Sequence, residues 1–431
     1  MLEILKEFEN RKVLIWGLGR EGLSTLAFLR RHLPDQVLYV SDLKEPQGLE
    51  ENCVFVPQDE SAFHEYDLIM KAPGVVASDQ SLVPLISGQT PLFLKYYGAQ
   101  TIGITGTKGK STTSSLMYHV LKENGNEVFL VGNIGIPCFD ILEDITDNSL
   151  VVFEVSCHQL EYSAWSPKIG VLLNLFEEHI DHYGTYELYK HAKEHVFLHM
   201  HEGDTCLING SLKPQLAKAH DPIRTGFGGD VYNMGRNLYS PLGSVSVRNC
   251  SLIGEHNYYN SAIVYHIAKM LGVSDEVFLA AMASFSPLDH RLQDCGIYKG
   301  ITFVDDSIST IPQATIQGCS ALGNVGSVLV GGMDRHIDYS DLEEWICECT
   351  VPHIILMYAT GKRIYEELDH SKVSVQLHLV DDLDEAVKKA FEVTPQGTAC
   401  LLSPAAASYG YFKNFEERGD VFKALVKQYG E

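Results

Sequence analysis

No stretch of this 431-residue chain approaches the ~18 consecutive apolar residues that a membrane-spanning helix needs. No C-x-x-C pair occurs among the ten cysteines, and nothing at zinc-finger spacing joins the neighbouring Cys347 and Cys349. Free thiols in a reducing cytoplasm are the expectation. Basic residues are scarce: 33 Lys and Arg face 56 Asp and Glu, a net charge of −23. Such a field repels nucleic-acid phosphates and anionic lipid heads, which excludes both as bulk partners. It does not exclude a phosphorylated ligand, because backbone N–H groups and one lysine suffice to hold a phosphate. Residues 1–9 alternate acids with apolar side chains, unlike a signal peptide. What is present is ordinary globular material, 45% hydrophobic and 21% charged. The length predicts two to three domains.

Short β-branched runs alternate with longer amphipathic stretches, the grammar of βαβ units with helices on both faces of parallel sheets. One unit is predicted from a strand over 12–16, a helix to residue 31 and a strand over 36–40. A second starts at 101–104, continues as a helix over 111–124, and adds strands over 128–131, 150–155 and 170–175. A third comprises strands over 302–304, 327–330, 353–357 and 399–402. Boundaries after residues 97 and 287 divide the chain into 1–97, 98–287 and 288–431. The segment 205–251, rich in Gly, Asn and Pro, gives no readable pattern.

The sharpest motif is Thr105-Gly106-Thr107-Lys108-Gly109-Lys110-Ser111-Thr112-Thr113, between a strand and a helix. Its glycines let backbone N–H groups face a phosphate, and the helix N-terminus adds partial positive charge. Lys110 is expected at the β/γ-phosphates of ATP and Ser111 at Mg²⁺. The strict P-loop spacing fails only at Ile104, where the first Gly would stand. Gly17-Leu18-Gly19-Arg20-Glu21-Gly22, with Asp42 after the next strand, has the form of a dinucleotide fingerprint. An NAD-dependent oxidoreductase could use that turn, but would leave the 105–113 loop unexplained. Glu154 ends a buried-strand pattern and suits a metal ion beside the loop. His179, in Glu177-Glu178-His179-Ile180-Asp181-His182, is a second candidate ligand just past a strand. Asn257 and Asn260, three apart, share a helix face and could read an adenine edge. Alone, Lys193 reads as a solvated helix lysine. In the third unit, Asp305-Asp306-Ser307 follows a strand, and Gly331-Gly332-Met333-Asp334-Arg335 offers an Arg able to grip a carboxylate.

Taken in order, these blocks resemble the Mur ligase family over the whole chain, and within it the D-glutamate-adding members. The tail carries the finer likeness: Leu402-Ser403-Pro404-Ala405 with Ser408, then Phe412-Lys413-Asn414-Phe415-Glu416-Glu417-Arg418-Gly419. The resemblance implies a three-domain α/β protein. It has a Rossmann-like N-terminal domain for a UDP-sugar, a central P-loop ATPase-type parallel sheet, and a Rossmann-like C-terminal domain for the amino acid. It implies cytoplasmic peptidoglycan synthesis, with ATP and Mg²⁺ as cofactors and UDP-N-acetylmuramoyl-L-alanine and glutamate as substrates. A monomer is expected. By the same resemblance, Gly106, Thr107, Lys108, Gly109, Lys110, Ser111, Thr112, Asn257, Asn260, Arg291 and Asp306 belong to the ATP site. Ser111, Glu154 and His179 match metal positions, and Lys193 matches a lysine carbamylated in the family, which could hold a second Mg²⁺. Gly19, Asp42, Gly74, Asn133, Ser156 and Gln159 match the nucleotide-sugar site; Thr310, Arg335, Ser408 and Phe415 match the glutamate site. Three departures stand out: Ile308 where the family commonly has Lys, Arg335 where a lysine often meets the glutamate carboxylate, and His158 for a frequent Phe. Arg and Lys differ in reach and geometry, so L-glutamate remains an alternative amino acid.

Overall fold

The computed structural model describes residues 2–49, 51–212, 221–286, 288–335 and 337–431. The predicted boundary residue Pro287 and the side chain of Asp181 lie outside the described set. Two compact units emerge: residues 1–249 with 256–285, and residues 250–255 with 286–431.

The first unit opens with β1 (Val13–Trp16), α1 (Arg20–His32), β2 (Leu38–Ser41), β3 (Cys53–Phe55), β4 (Leu68–Lys71), β5 (Ile86–Ser87) and α2 (Gln89–Tyr97). The five strands form one parallel sheet in the order β3-β2-β1-β4-β5. All four residues of β1 are buried, as expected for a central strand covered on both faces. From β1 the chain runs outward to β2 and β3, then crosses back to β4 and β5 on the other side of β1. The loops after all three strands therefore meet at one edge, the switch point where open α/β sheets bind ligands. Gly22 lets α1 settle on this turn, since a Cβ there would lie 1.9 Å from the Gly17 carbonyl oxygen. Gly22→Ala is expected to cost ~2 kcal/mol or more through overpacking, read as a lower urea midpoint with unchanged slope.

A second sheet of the same unit takes β6 (Thr101–Thr105), β7 (Val128–Gly132), β8 (Leu150–Glu154), β9 (Ile169–Leu172), β10 (Thr205–Asn209) and β11 (Ile223–Thr225). It is parallel throughout, in the order β11-β10-β9-β6-β8-β7. Its helices are α3 (Lys110–Glu123), α4 (Cys157–Leu160), α5 (Ile180–Tyr183), α6 (Tyr186–Leu198), α7 (Glu255–Met270) and α8 (Asp275–Ser284). The sequence segment without a readable pattern holds β10, β11 and an antiparallel meander, β12 (Tyr232–Met234), β13 (Asn237–Ser240) and β14 (Gly243–Ser246).

The second unit has β15 (Gln293–Tyr298), β16 (Ile301–Asp305), β17 (Val325–Gly331), β18 (His353–Met357), β19 (Gln376–Val380) and β20 (Ala399–Leu402). Their order is β15-β16-β20-β17-β18-β19, parallel except for the antiparallel edge strand β15. Helices α9 (Pro312–Leu322), α10 (Ser340–Glu348), α11 (Tyr358–Glu367), α12 (Leu383–Val393) and α13 (Phe415–Gly430) complete it. Its apolar core divides into two groups, one containing Val328, Ile354 and Leu401 and the other Leu329, Ile355 and Cys400. That alternation is what a sheet buried on both faces requires.

Candidate active site

Strand β6 lies between β8 and β9, and register sets its end level with theirs: Ile104 opposite Glu154, Thr105 opposite Leu172. The 105–113 loop leaves the end of β6 and is therefore flanked by Glu154 and by the loop after β9. Gly109 caps α3 at φ +84, a left-handed conformation that glycine adopts without Cβ strain. A Cβ on Gly109 would meet the Asn260 side-chain amide at 3.0 Å, so α7 brings Asn260 against the loop. Asn257, one turn earlier on α7, is also buried.

Asn174 fixes the loop from the β9 side. Its Oδ1 accepts from the Lys108 N–H at 2.8 Å, its Nδ2 donates to the Lys108 carbonyl at 2.9 Å, and its own carbonyl accepts from the Thr107 N–H at 3.0 Å. Thr107 Oγ1 shares a hydrogen bond with the Tyr189 hydroxyl at 2.8 Å. Lys108 pairs with Glu178 at 3.3 Å. Sequence reasoning gives Asn174 no role of its own; its place immediately past a central strand is the signal that could have found it.

Three cations and two acids crowd this edge. Lys110 Nζ donates to the Gly106 and Thr107 carbonyls, each at 2.9 Å. Lys193, buried on α6, donates to the same Gly106 carbonyl at 2.9 Å. Burial lowers the Lys110 pKa against the pull of Glu154 and Glu178. Burial, and then the neighbouring Lys110, brings Lys193 down to about 7. Lys193 is thus no solvated helix lysine. Burial alone would raise the Glu178 carboxyl, but Lys108, His179, Lys110 and Lys193 outweigh it and hold the carboxyl low. Glu154 is fully buried; Oε1 accepts from Asn133 Nδ2 at 2.8 Å, while Oε2 has no hydrogen-bond partner among the described residues. An orphaned carboxylate oxygen in such a place is what a hard cation would satisfy. His179 heads α5 with φ 58, and desolvation lowers its pKa to about 4, so its imidazole is neutral and able to ligate. The described residues contain no ready-made group of three or more metal-ligating side chains.

In the first sheet, the loops after β1, β2 and β4 enclose a cleft of about 520 Å³. Gly19, Asp42 and Gly74 all line it, with Trp16 and Arg20. Asp42 shapes the cleft: its oxygens accept from the Leu18 and Leu43 N–H groups, both at 2.6 Å. Arg20 donates to the carbonyls of Gly132, Asn133 and Gly135 in the central sheet's β7 loop. Ser156 and Gln159 form a reciprocal capping box on α4, and Gln159 Nε2 donates to Glu21 Oε1 at 2.6 Å. Asn133, Ser156 and Gln159 thus share the seam between this cleft and the ATPase-type sheet.

The remaining predicted residues stand in the second unit. Arg291 precedes Leu292, whose N–H donates to Asp306 Oδ1 at 3.3 Å. Asp306 Oδ2 accepts from Ser309 and Ser403, and burial pushes its carboxyl up to about 6. Arg418, fully buried, donates to Ser307 Oγ, the Ser307 carbonyl and the Ala406 carbonyl. Ser307 Oγ in turn donates to the Phe415 carbonyl at 2.8 Å. Arg418 thereby gathers the loops that carry Thr310, Ser408 and Phe415. Arg335 is exposed beside Asp334, which pairs with Arg363 at 3.2 Å. No helix among the described residues is long and apolar enough to cross a membrane.

Residues 104–268 match the family model described as Mur ligase middle domain. A UDP-N-acetylmuramoyl-L-alanine--L-glutamate ligase from Salinispora tropica is 33% identical over 456 residues, covering 98% of this chain and 99% of that protein. A UDP-N-acetylmuramoylalanine--D-glutamate ligase from Bacillus thuringiensis is 30% identical over 464 residues, covering 99% of each. MurF from Acinetobacter baumannii shares the fold, with a TM-score of 0.65 at 18% identity over 92% of each chain. With the family likeness running the length of the sequence, this chain belongs to the Mur ligase family.

Proposed function

We propose that the protein is an ATP-dependent amide ligase that adds glutamate, as the D-enantiomer, to UDP-N-acetylmuramoyl-L-alanine in cytoplasmic peptidoglycan synthesis. The acceptor carboxylate is phosphorylated, the glutamate amine attacks the acyl phosphate, and the tetrahedral intermediate expels phosphate. One observation carries this reading: Lys110, Lys193 and the half-satisfied Glu154 meet around a phosphate-type loop at a sheet edge. In-line phosphoryl transfer needs positioning and charge neutralisation more than covalent chemistry. Lys110 and the loop N–H groups bind and orient phosphate; Asn257 and Asn260 face the nucleotide. Mg²⁺ would neutralise phosphate charge, held by Ser111, Glu154 and His179, and a carbamylated Lys193 would hold a second Mg²⁺. The 520 Å³ cleft seats the uridine nucleotide, with Asn133, Ser156 and Gln159 guiding the sugar end. Residues 1–97, 98–287 and 288–431 are the corresponding nucleotide-sugar, ATP and amino-acid domains. Thr310, Arg335, Ser408 and Phe415 serve the amino acid, with Arg291 and Asp306 at the ATP side.

L-Glutamate is the second reading. Ile308 removes a lysine common in D-glutamate-adding members, and the relative at 33% identity is named an L-glutamate ligase. Mass spectrometry of the product formed with each enantiomer separately decides between them. Amide product with D-glutamate alone supports the first reading, and product with L-glutamate alone replaces it with the second.

A further inference from the structure

Lys71 ends β4 at the level of Trp16 on β1, and its side chain is 2% exposed. Strand ends that need only packing carry apolar groups, and a buried ammonium is costly unless its partners are used. Its partners come from two places. Nζ donates to the Val75 carbonyl at 2.6 Å and to the Ala72 carbonyl at 3.4 Å, both on the rim of the nucleotide cleft. On the other side it lies 3.8 Å from Glu161 Oε2, just past α4, and 5.3 Å from the Tyr162 ring centre. Glu161 Oε2 also holds His182 Nε2 at 3.3 Å. The His182 ring packs on His158 at 4.5 Å, and His158 packs on His179 at 4.8 Å. A small cavity joins Lys71 to Glu21, His158 and Gln159.

We infer that Lys71 is a positioning residue that sets the spacing between the nucleotide cleft and the catalytic end of the central sheet. This rests on the proposed function, because only a substrate that spans both places senses that spacing. UDP fills the cleft alone; UDP-N-acetylmuramoyl-L-alanine must also place its carboxylate beside Glu154 and His179. Glu161 is the second half of the device. It receives the cation from the cleft side and the imidazole from the catalytic side, on one oxygen.

The test compares a short and a long ligand in Lys71→Met, Glu161→Gln and the double variant. In Lys71→Met the KM for UDP-N-acetylmuramoyl-L-alanine should rise by about ten-fold, with the KM values for ATP and glutamate and the Kd for UDP within about two-fold. Glu161→Gln should move the same KM in the same direction. The double variant, which removes both charges of the Lys71–Glu161 pair, should be no worse than the weaker single, as for two groups acting as a unit. An unchanged KM in folded Lys71→Met and Glu161→Gln overturns the inference. So does equal weakening of UDP and the long substrate, which would mean a collapsed rim. A wild-type protein that fails to bind UDP removes the proposed function, and the role of Lys71 with it.

Discussion

Lys110→Ala should lose ATP turnover by ~10³-fold or more while the protein stays folded. The side chain's hydrogen bonds go to two carbonyls of its own loop, and alanine suits the first turn of α3. Removing it relieves repulsion with Lys193 and takes a counter-charge from Glu154 and Glu178, two effects of opposite sign. Stability should therefore change little, and the loss should fall on the chemical step. The two are separated by measuring phosphate release and thermal unfolding on the same preparation. Near-normal release from a well-folded variant would remove the loop from phosphoryl transfer.

Lys193→Ala should cost on the order of a hundred-fold in rate, with part of the loss recovered by added formate or acetate. Burial brings the amine to about 7, so a large neutral fraction exists at neutral pH and above. A neutral amine can add carbon dioxide, releasing one proton and leaving a carbamate. The product is an anion where the sequence supplies a cation. Below about pH 7 the ammonium form dominates and this addition fails, so wild-type protein freed of bicarbonate at low pH should regain activity when bicarbonate is added above pH 7. Full activity in plain Lys193→Ala, or no response to small carboxylates, would exclude the carbamate role.

Much of this site is legible in the sequence because its chemistry is written locally. The 105–113 loop is a contiguous strand–turn–helix signal, and the structure places it at a central strand end. Glu154 is legible as an acid closing a buried run. Its relation to Lys110 is not, because it depends on β8 pairing with β6, a long-range choice no local pattern states. The same holds for Asn174 after β9 and for Asn260 on α7, which reach the loop only through tertiary packing. Lys193 misleads in isolation because helical spacing does not say which face is buried when Tyr189 and Val196 are buried around it. The meander over β12–β14 escapes because its strands of three or four residues are polar and lack a clean alternation. Lys71 gives no sequence signal, and Arg20 only its place in the 17–22 turn; their contacts exist only where two sheets of one unit meet.

The most direct measurement is phosphate release from ATP with each substrate omitted in turn. Release should require UDP-N-acetylmuramoyl-L-alanine and one enantiomer of glutamate together, with amide product in equal amount. Release that ignores the acceptor carboxylate, or none with either enantiomer, would contradict it.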